Sequence, residues 1–252
     1  MTALNLYPFQ RTGARALIER PRVLLGDEMG LGKTVQAAVA LRQLFECGAA
    51  HRAVIVCPAS LCVNWKHEVG KWAGLASVIY EGPDRFGMLY GNAAVVIGSF
   101  DTVASDLRTP TRSGTVFHDI GVDVVIVDEA QRIKDPASLR SKVLAKLLAA
   151  RRWAITGTPV ENHPRELASI LRFLYPNEFI TDTDFDDLRK ILRHRDACLL
   201  RRTKQQVGLE LPNKTVGSVT IELPPSQHLE YARRLSVLKE SLSRAGGARG
   251  KP

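Results

Sequence analysis

Short apolar runs recur at residues 23–25, 54–56, 95–97, 124–127 and 153–156, with stretches of helical periodicity between them. Runs of this kind, alternating with helices, imply strands buried on both faces and therefore parallel βαβ units in an α/β fold. The plainest case is Val124, Val125, Ile126 and Val127, which leaves no polar face. Asp135-Pro136 ahead of residues 137–148 predicts an N-cap and a first-turn proline, with Leu139, Val143, Leu144, Leu147 and Leu148 on one packing face. Residues 108–114 are polar and broken by proline, which predicts a surface loop. Residues 181–194 turn from acidic to basic and predict a short helical excursion, extending to about 197. A helical pattern at 226–242 is followed, from residue 246, by a glycine-rich basic tail expected to be disordered.

The chemistry lies in the turns that follow the strands. Residues 27–34 read Asp-Glu-Met-Gly-Leu-Gly-Lys-Thr and lead from Val23, Leu24 and Leu25 into a helical pattern, predicting a phosphate-cradling loop at a helix N-terminus. Gly30 and Gly32 let backbone N–H groups turn inward, Lys33 adds a point charge, and Thr34 offers a ligand for Mg²⁺. An ordinary loop with a helix cap would share the same glycine-lysine-threonine spacing. The generic pattern asks for glycine where this chain has Asp27, so that carboxylate must turn away from a nucleotide or pair with a cation.

The strand at 124–127 ends in Asp128-Glu129-Ala130-Gln131. There one carboxylate can hold Mg²⁺ while the next polarises water, although an acidic helix start has the same composition. Both blocks in one chain favour a nucleotide site. A third run ends in Thr156-Gly157-Thr158-Pro159, whose hydroxyls can relay contacts or simply punctuate a turn.

The order of blocks resembles the first RecA-like lobe of a superfamily-two helicase motor, in its Swi/Snf branch. Tyr7-Pro8-Phe9-Gln10-Arg11 is similar to the adenine-reading Q motif, and residues 27–34, Asp27 included, to motif I. Cys57-Pro58-Ala59-Ser60-Leu61 with Asn64-Trp65 resembles motif Ia, and Gly98-Ser99-Phe100-Asp101-Thr102 resembles motif Ib. Residues 128–131 match motif II, and residues 156–159 with Glu161 and Asn162 match motif III. Leu200-Arg201-Arg202-Thr203-Lys204, then Leu211-Pro212-Asn213-Lys214, resembles the signature that closes this lobe, and the chain start looks most like the annealing-helicase subgroup.

The resemblance implies a RecA-like P-loop NTPase lobe over residues 1–223, a central mostly parallel sheet flanked by helices, and the helical start of an inter-lobe bridge at 224–245. It implies an ATPase that uses ATP and Mg²⁺, with Lys33, Asp128 and Glu129 catalytic, and Gln10, Gly30, Gly32, Lys33 and Thr34 holding the nucleotide. Thr34 and Asp128 would hold the metal; Gln131, Thr156, Gly157 and Thr158 would couple the sites. Pro58, Ser60, Ser99, Thr102 and Asn162 would face double-stranded DNA, and Trp65 would face it or pack under its helix. A second RecA-like lobe, absent from the chain, would supply an arginine finger, so the lobe alone is expected to hydrolyse ATP slowly. The alternatives are a non-catalytic nucleotide- or DNA-binding module and an RNA helicase lobe. Gln131 stands where many relatives carry histidine, and an amide does not ionise near neutral pH, which implies pH-insensitive coupling there.

A net charge of +9 over 252 residues favours a polyanionic partner. The clusters Arg189, Lys190, Arg193, Arg195 and Arg201, Arg202, Lys204 fit phosphate contacts or solvated faces equally. No aromatic-rich stretch suggests a base-stacking platform. Cys47, Cys57, Cys62 and Cys198 lack paired C-x-x-C spacing, so zinc is not expected and the thiols are expected to be small buried hydrophobes. With no apolar run of membrane-spanning length, no membrane partner is expected and the cytoplasm is the expected compartment; the alanine- and arginine-rich composition suggests a bacterial source, with the protein at the nucleoid, and a monomer is expected.

Overall fold

The computed structural model describes residues 5–111, 114–158, 164–208 and 224–247. The chain divides into two units, residues 1–210 and 211–252. In chain order, the first unit holds helix α1 (Pro8–Glu19), strand β1 (Arg22–Leu25), α2 (Lys33–Glu46), β2 (Ala53–Cys57) and α3 (Cys62–Glu68). It continues through β3 (Ser77–Tyr80), α4 (Arg85–Leu89), β4 (Val95–Ser99) and α5 (Phe100–Asp106). Next come β5 (Pro110–Thr111), β6 (Gly114–Thr115), α6 (Val116–Asp119), β7 (Val124–Val127) and α7 (Leu139–Leu144). The last elements of this unit are β8 (Arg151–Ile155), α8 (Pro164–Leu174), α9 (Asp182–Asp186), α10 (Leu188–Cys198) and β9 (Leu199–Leu200). The second unit holds α11 (Pro225–Gly247), which reaches past the start of the tail expected to be disordered.

A seven-stranded sheet has the order β3-β4-β2-β7-β8-β1-β9. All its pairings are parallel. Alternate residues of each strand serve opposite cores, as the twofold side-chain period requires. Val124 and Ile126 join Trp65, Leu41, Trp153 and Ile155 beneath α1, α2 and α3. Val125 and Val127 join Phe100, Leu144, Leu171 and Phe173 beneath α5, α7 and α8. Burial on both faces explains the continuous apolar runs; each such side chain contributes about 1.5–3 kcal/mol by leaving water.

β8 stands between β1 and β7. The strand that leads into Thr156 thus separates the phosphate-loop strand from the Asp128 strand. The register pairs Leu25 with Ile155 and Ala154 with Val127, so the three turns leave one edge of the sheet together.

Several local expectations need correction. α7 starts at Leu139 with Ser138 as its cap, the Ser141 N–H donating to Ser138 Oγ over 3.3 Å. Asp135 instead closes the turn before it, accepting from the Ala137 N–H at 2.9 Å. The helix ends at Leu144, short of the expected 148; Val143 and Leu144 are buried while Leu139 at its start is exposed, and beyond it Leu147 is buried and Leu148 exposed. The loop at 108–114 carries the β5–β6 hairpin. β9 eluded the sequence because a two-residue strand has no periodicity; pairing with β1 alone defines it. Cys57, Cys62 and Cys198 are buried, whereas Cys47 is exposed.

Arg152 was unremarkable in sequence. It is 1% exposed and donates to the carbonyls of Ala145, Leu147 and Phe173, where the last turns of α7 and α8 lack partners. Burial brings its pKa down to about 10.

Candidate nucleotide site at the carboxyl ends of the strands

The loop between β1 and α2 turns on two glycines in conformations that disfavour side chains. Gly30 has φ +92° and Gly32 φ +69°. A Cβ at Gly32 would lie 2.5 Å from Gln10 Nε2, so Gln10 packs directly on the loop. Its Oε1 accepts from the Tyr7 N–H at 3.1 Å, which closes the first turn of α1 and directs the amide nitrogen toward Gly32. Lys33 and Thr34 open α2, at the positive end of its dipole. Lys33 Nζ donates to Asp27 O at 2.7 Å and Glu28 O at 3.3 Å, lying back along the loop. Burial pushes its ammonium pKa down, against the pull of Asp27, Asp128, Glu129 and Glu28.

Asp27 pairs with a cation, the second of the options its position left open. Its Oδ2 accepts from Arg202 Nη2 at 2.5 Å and Gln36 Nε2 at 3.1 Å. Its Oδ1 accepts from Arg202 N and Nε, both at 3.0 Å. Arg202 also donates to Gln36 Oε1 at 2.9 Å and Phe9 O at 2.5 Å, so one guanidinium joins α1, the loop and α2. Gly13 makes room for this: a Cβ there would sit 1.6 Å from Gln36 Oε1. Backbone bonds Gly26 N to Leu200 O and Glu28 N to Arg202 O extend β9 along the loop. Lys204 N then donates to Glu28 Oε2 at 2.8 Å. Of the cluster Arg201, Arg202 and Lys204, Arg202 is therefore a scaffold residue. The departure from glycine at position 27 signalled a cation; nothing in the sequence marked Arg202 or Gln36 as its partners.

Asp128 is 8% exposed at the end of β7. Its Oδ2 accepts from Trp65 Nε1 at 2.8 Å and its Oδ1 from the Glu129 N–H at 2.9 Å. Burial raises its pKa, with these two hydrogen bonds acting against the rise. Trp65 is completely buried, so it packs under α3 and does not face DNA. Glu129 has φ +51°, the only positive φ of a residue other than glycine among the described residues. Such a conformation costs roughly 1–3 kcal/mol and is held by its surroundings. Gln131 Nε2 donates to Glu129 Oε2 at 2.5 Å, and Thr156 Oγ1 donates to Gln131 Oε1 at 2.8 Å. The Thr158 N–H reaches Thr156 Oγ1 at 3.3 Å. Gly157 lies against the phosphate loop, where a Cβ would be 2.5 Å from Met29 Cγ and 3.3 Å from Lys33 Nζ. The sequence-predicted nucleotide, metal and coupling residues thus share one edge, and hydrogen bonds link Asp128, Glu129, Gln131, Thr156 and Thr158 in turn.

The DNA-facing candidates lie on the turns after β2 and β4. Ser60 is exposed, while Pro58 is buried and starts the turn. Ser99 Oγ caps α5, accepting from the Thr102 N–H at 3.2 Å and lying 2.9 Å from Thr102 Oγ1. Asn162, Pro159 and Glu161, together with residues 211–214, lie outside the described residues. Lys190 is engaged by Asp184 at 2.7 Å and Arg195 by Asp196 at 2.8 Å, while Arg189 and Arg193 of that cluster are exposed.

The sequence profile of the SNF2-related domain matches residues 9–250. The chain belongs to the SNF2-related family. A Mycoplasma pneumoniae protein named as an uncharacterized ATP-dependent helicase is 34% identical over 223 residues, covering 82% of this chain and 21% of that protein. Mouse chromodomain-helicase-DNA-binding protein 1-like is 32% identical over 234 residues, covering 85% of this chain and 26% of its own length. Among solved structures, the Sulfolobus solfataricus SWI2/SNF2 ATPase core in complex with double-stranded DNA superposes with a TM-score of 0.69 at 25% identity. That match covers 95% of this chain and 54% of the other. The SNF2-related region seen here is thus about a quarter or less of the length of these two relatives. Its RecA-like P-loop sheet is the fold of that ATPase core.

Proposed function

We propose that this chain is the ATP-binding lobe of a Swi/Snf-type translocase on double-stranded DNA, completed by a second RecA-like lobe. The observation that carries the reading is the convergence of Lys33, Asp128, Glu129, Gln131 and Thr156 on one sheet edge, where hydrogen bonds run from Thr156 through Gln131 and Glu129 to Asp128 and Lys33 stands within electrostatic reach of both carboxylates. The donors also fit Mg²⁺: Asp128 accepts only one bond per oxygen, is disfavoured as a bare anion by burial, and shares the edge with the Thr34 hydroxyl. When bound through Asp128 and Thr34, Mg²⁺ would neutralise charge on the phosphate oxygens.

Lys33 leaves the Asp27 and Glu28 carbonyls to meet the β and γ phosphates. Backbone N–H groups around Gly30 and Gly32 cradle them, and Gln10 stands beside Gly32 to hydrogen-bond the base. Glu129, oriented by Gln131, aligns the attacking water. Because Gln131 also accepts from Thr156, the position of Glu129 depends on the 156–158 turn, a route by which DNA contact can reach the water-aligning group. Ser60, Ser99 and Thr102 are the proposed phosphate contacts on DNA; such hydroxyl contacts position a duplex without reading its sequence. The helix α11 is proposed as the start of the bridge to the second lobe.

The test is phosphate release from ATP, with and without duplex DNA or duplex RNA, by wild type and Glu129→Gln. The isolated lobe is expected to bind ATP, to turn over about 10³-fold or more below a two-lobed form for want of an arginine finger, and to lose the residue of activity in Glu129→Gln. Strong DNA-stimulated turnover by the lobe alone would remove the need for a second lobe. Preference for RNA would replace the DNA assignment.

A further inference from the structure

We infer that Trp65 is a positioning residue: it orients the Asp128 carboxylate for Mg²⁺ and couples it to the turn at Ala59–Leu61. The inference rests on the nucleotide reading above. The indole N–H donates to Asp128 Oδ2 at 2.8 Å while the Glu129 N–H holds Oδ1, so both oxygens are fixed and each retains acceptor capacity for a cation. Packing alone does not require this bond. Trp153 is just as buried, in the same core, and its indole nitrogen has no partner among the described residues. Trp72 donates at 2.9 Å to Glu68, away from the site. Only Trp65, among the three tryptophans, directs its donor at a carboxylate of the nucleotide edge.

Its place in the chain supplies the coupling. α3 begins immediately after the turn that bears exposed Ser60, and Trp65 lies one helical turn into it. The turn and helix are tied by the Leu61 N–H to Pro58 O bond at 2.8 Å and by the buried Cys57–Cys62 contact, Sγ to Sγ 3.6 Å. A phosphate that shifts Ser60 therefore shifts the indole, and an indole that shifts either carries Asp128 with it or leaves a buried N–H without its acceptor. Groups that hold a metal ligand in place in this way commonly change metal affinity by about 10–100-fold when removed.

Trp65→Phe keeps an aromatic ring in the core and deletes the donor. Binding of a fluorescent ATP analogue would be titrated against Mg²⁺, and separately measured in EDTA, with and without a short DNA duplex. The expected result is unchanged affinity in EDTA, a Mg²⁺ midpoint raised about tenfold or more, and a DNA-induced shift of that midpoint in wild type that Trp65→Phe lacks. In an Asp128→Asn background the same substitution should add nothing. A wild-type Mg²⁺ midpoint in Trp65→Phe, or equal weakening in EDTA and Mg²⁺, would overturn the positioning role. An unshifted wild-type midpoint with DNA bound would overturn the coupling. Should the variant not fold, the wild-type Trp65 indole N–H resonance decides: it should move when Mg²⁺ is added to the ATP-bound protein, and a static resonance contradicts the role. A chain that binds no ATP in any condition refutes the nucleotide reading itself.

Discussion

Asp27 and Asp128 both lie buried just past the ends of central strands, yet their surroundings differ in kind. Asp27, at the β1–β9 side, receives three bonds from Arg202 and one from Gln36. Asp128, at the end of β7, receives one from Trp65 and one from a backbone N–H, with no guanidinium on it among the described residues. A buried carboxylate saturated by a cation is a joint in the scaffold; one that burial disfavours as an anion and that keeps acceptor positions open is a place for a cation to bind. Motif resemblance places Asp27 in motif I and Asp128 in motif II, and composition alone does not tell their surroundings apart. Their partners separate them.

The sharpest way to break this contrast is to remove the Asp27 carboxylate. Asp27→Ala strands the Arg202 guanidinium against Gln36 and the Phe9 carbonyl, and urea unfolding should show a loss of about 3–5 kcal/mol. A loss below about 1 kcal/mol would make Asp27 incidental to the scaffold.

A second saturated carboxylate should behave like Asp27 and adds a pH signature. Asp106 is 2% exposed and accepts from Tyr80 Oη at 2.8 Å and from Arg85 Nε and Nη2 at 2.6 and 2.8 Å. Burial pushes its pKa up, but the bonds from Arg85 and Tyr80 outweigh it and leave the pKa below the ordinary value. A depressed folded pKa means the unfolded chain takes up the proton first. The stability is therefore present above the unfolded pKa, about 3.9, and is lost as pH falls through the folded value. Asp106→Asn should cost about 2 kcal/mol at pH 7, and its unfolding curve should approach wild type as pH falls below the unfolded pKa and through the depressed folded one.

Asp128→Asn should have the smallest effect on stability and the opposite sign. Burial raises the folded pKa of Asp128, so the folded state binds the proton more tightly and stability declines as pH rises from the unfolded pKa through the raised folded one. At pH 7 the neutral amide should thus unfold within about 1 kcal/mol of wild type, or later. A loss as large as that of Asp27→Ala would place Asp128 in the scaffold too.

The fold class and the location of the site were legible because β2, β7 and β8 are apolar on both faces and run directly into their motifs. The elements that escaped were those defined by partners distant in sequence. β9 exists through β1, the α7 cap depends on which of two nearby polar side chains meets the helix start, and the indole of Trp65 meets a carboxylate from another strand. Likewise, Gln131 was legible as a candidate coupling residue, but its two hydrogen bonds, one donated to Glu129 and one accepted from Thr156, depend on β8 lying beside β7. The left-handed backbone of Glu129 left no trace in residue type, since glutamate is not a residue that favours φ above zero.

The most direct test of the contrast is calorimetric ATP binding by wild type and Asp128→Asn, each measured with Mg²⁺ and with EDTA. Mg²⁺ should tighten binding to wild type by tenfold or more and leave Asp128→Asn unchanged, with both proteins equally folded. Equal tightening in the two proteins, or none in wild type, would contradict the assignment of Asp128 as the cation-binding carboxylate.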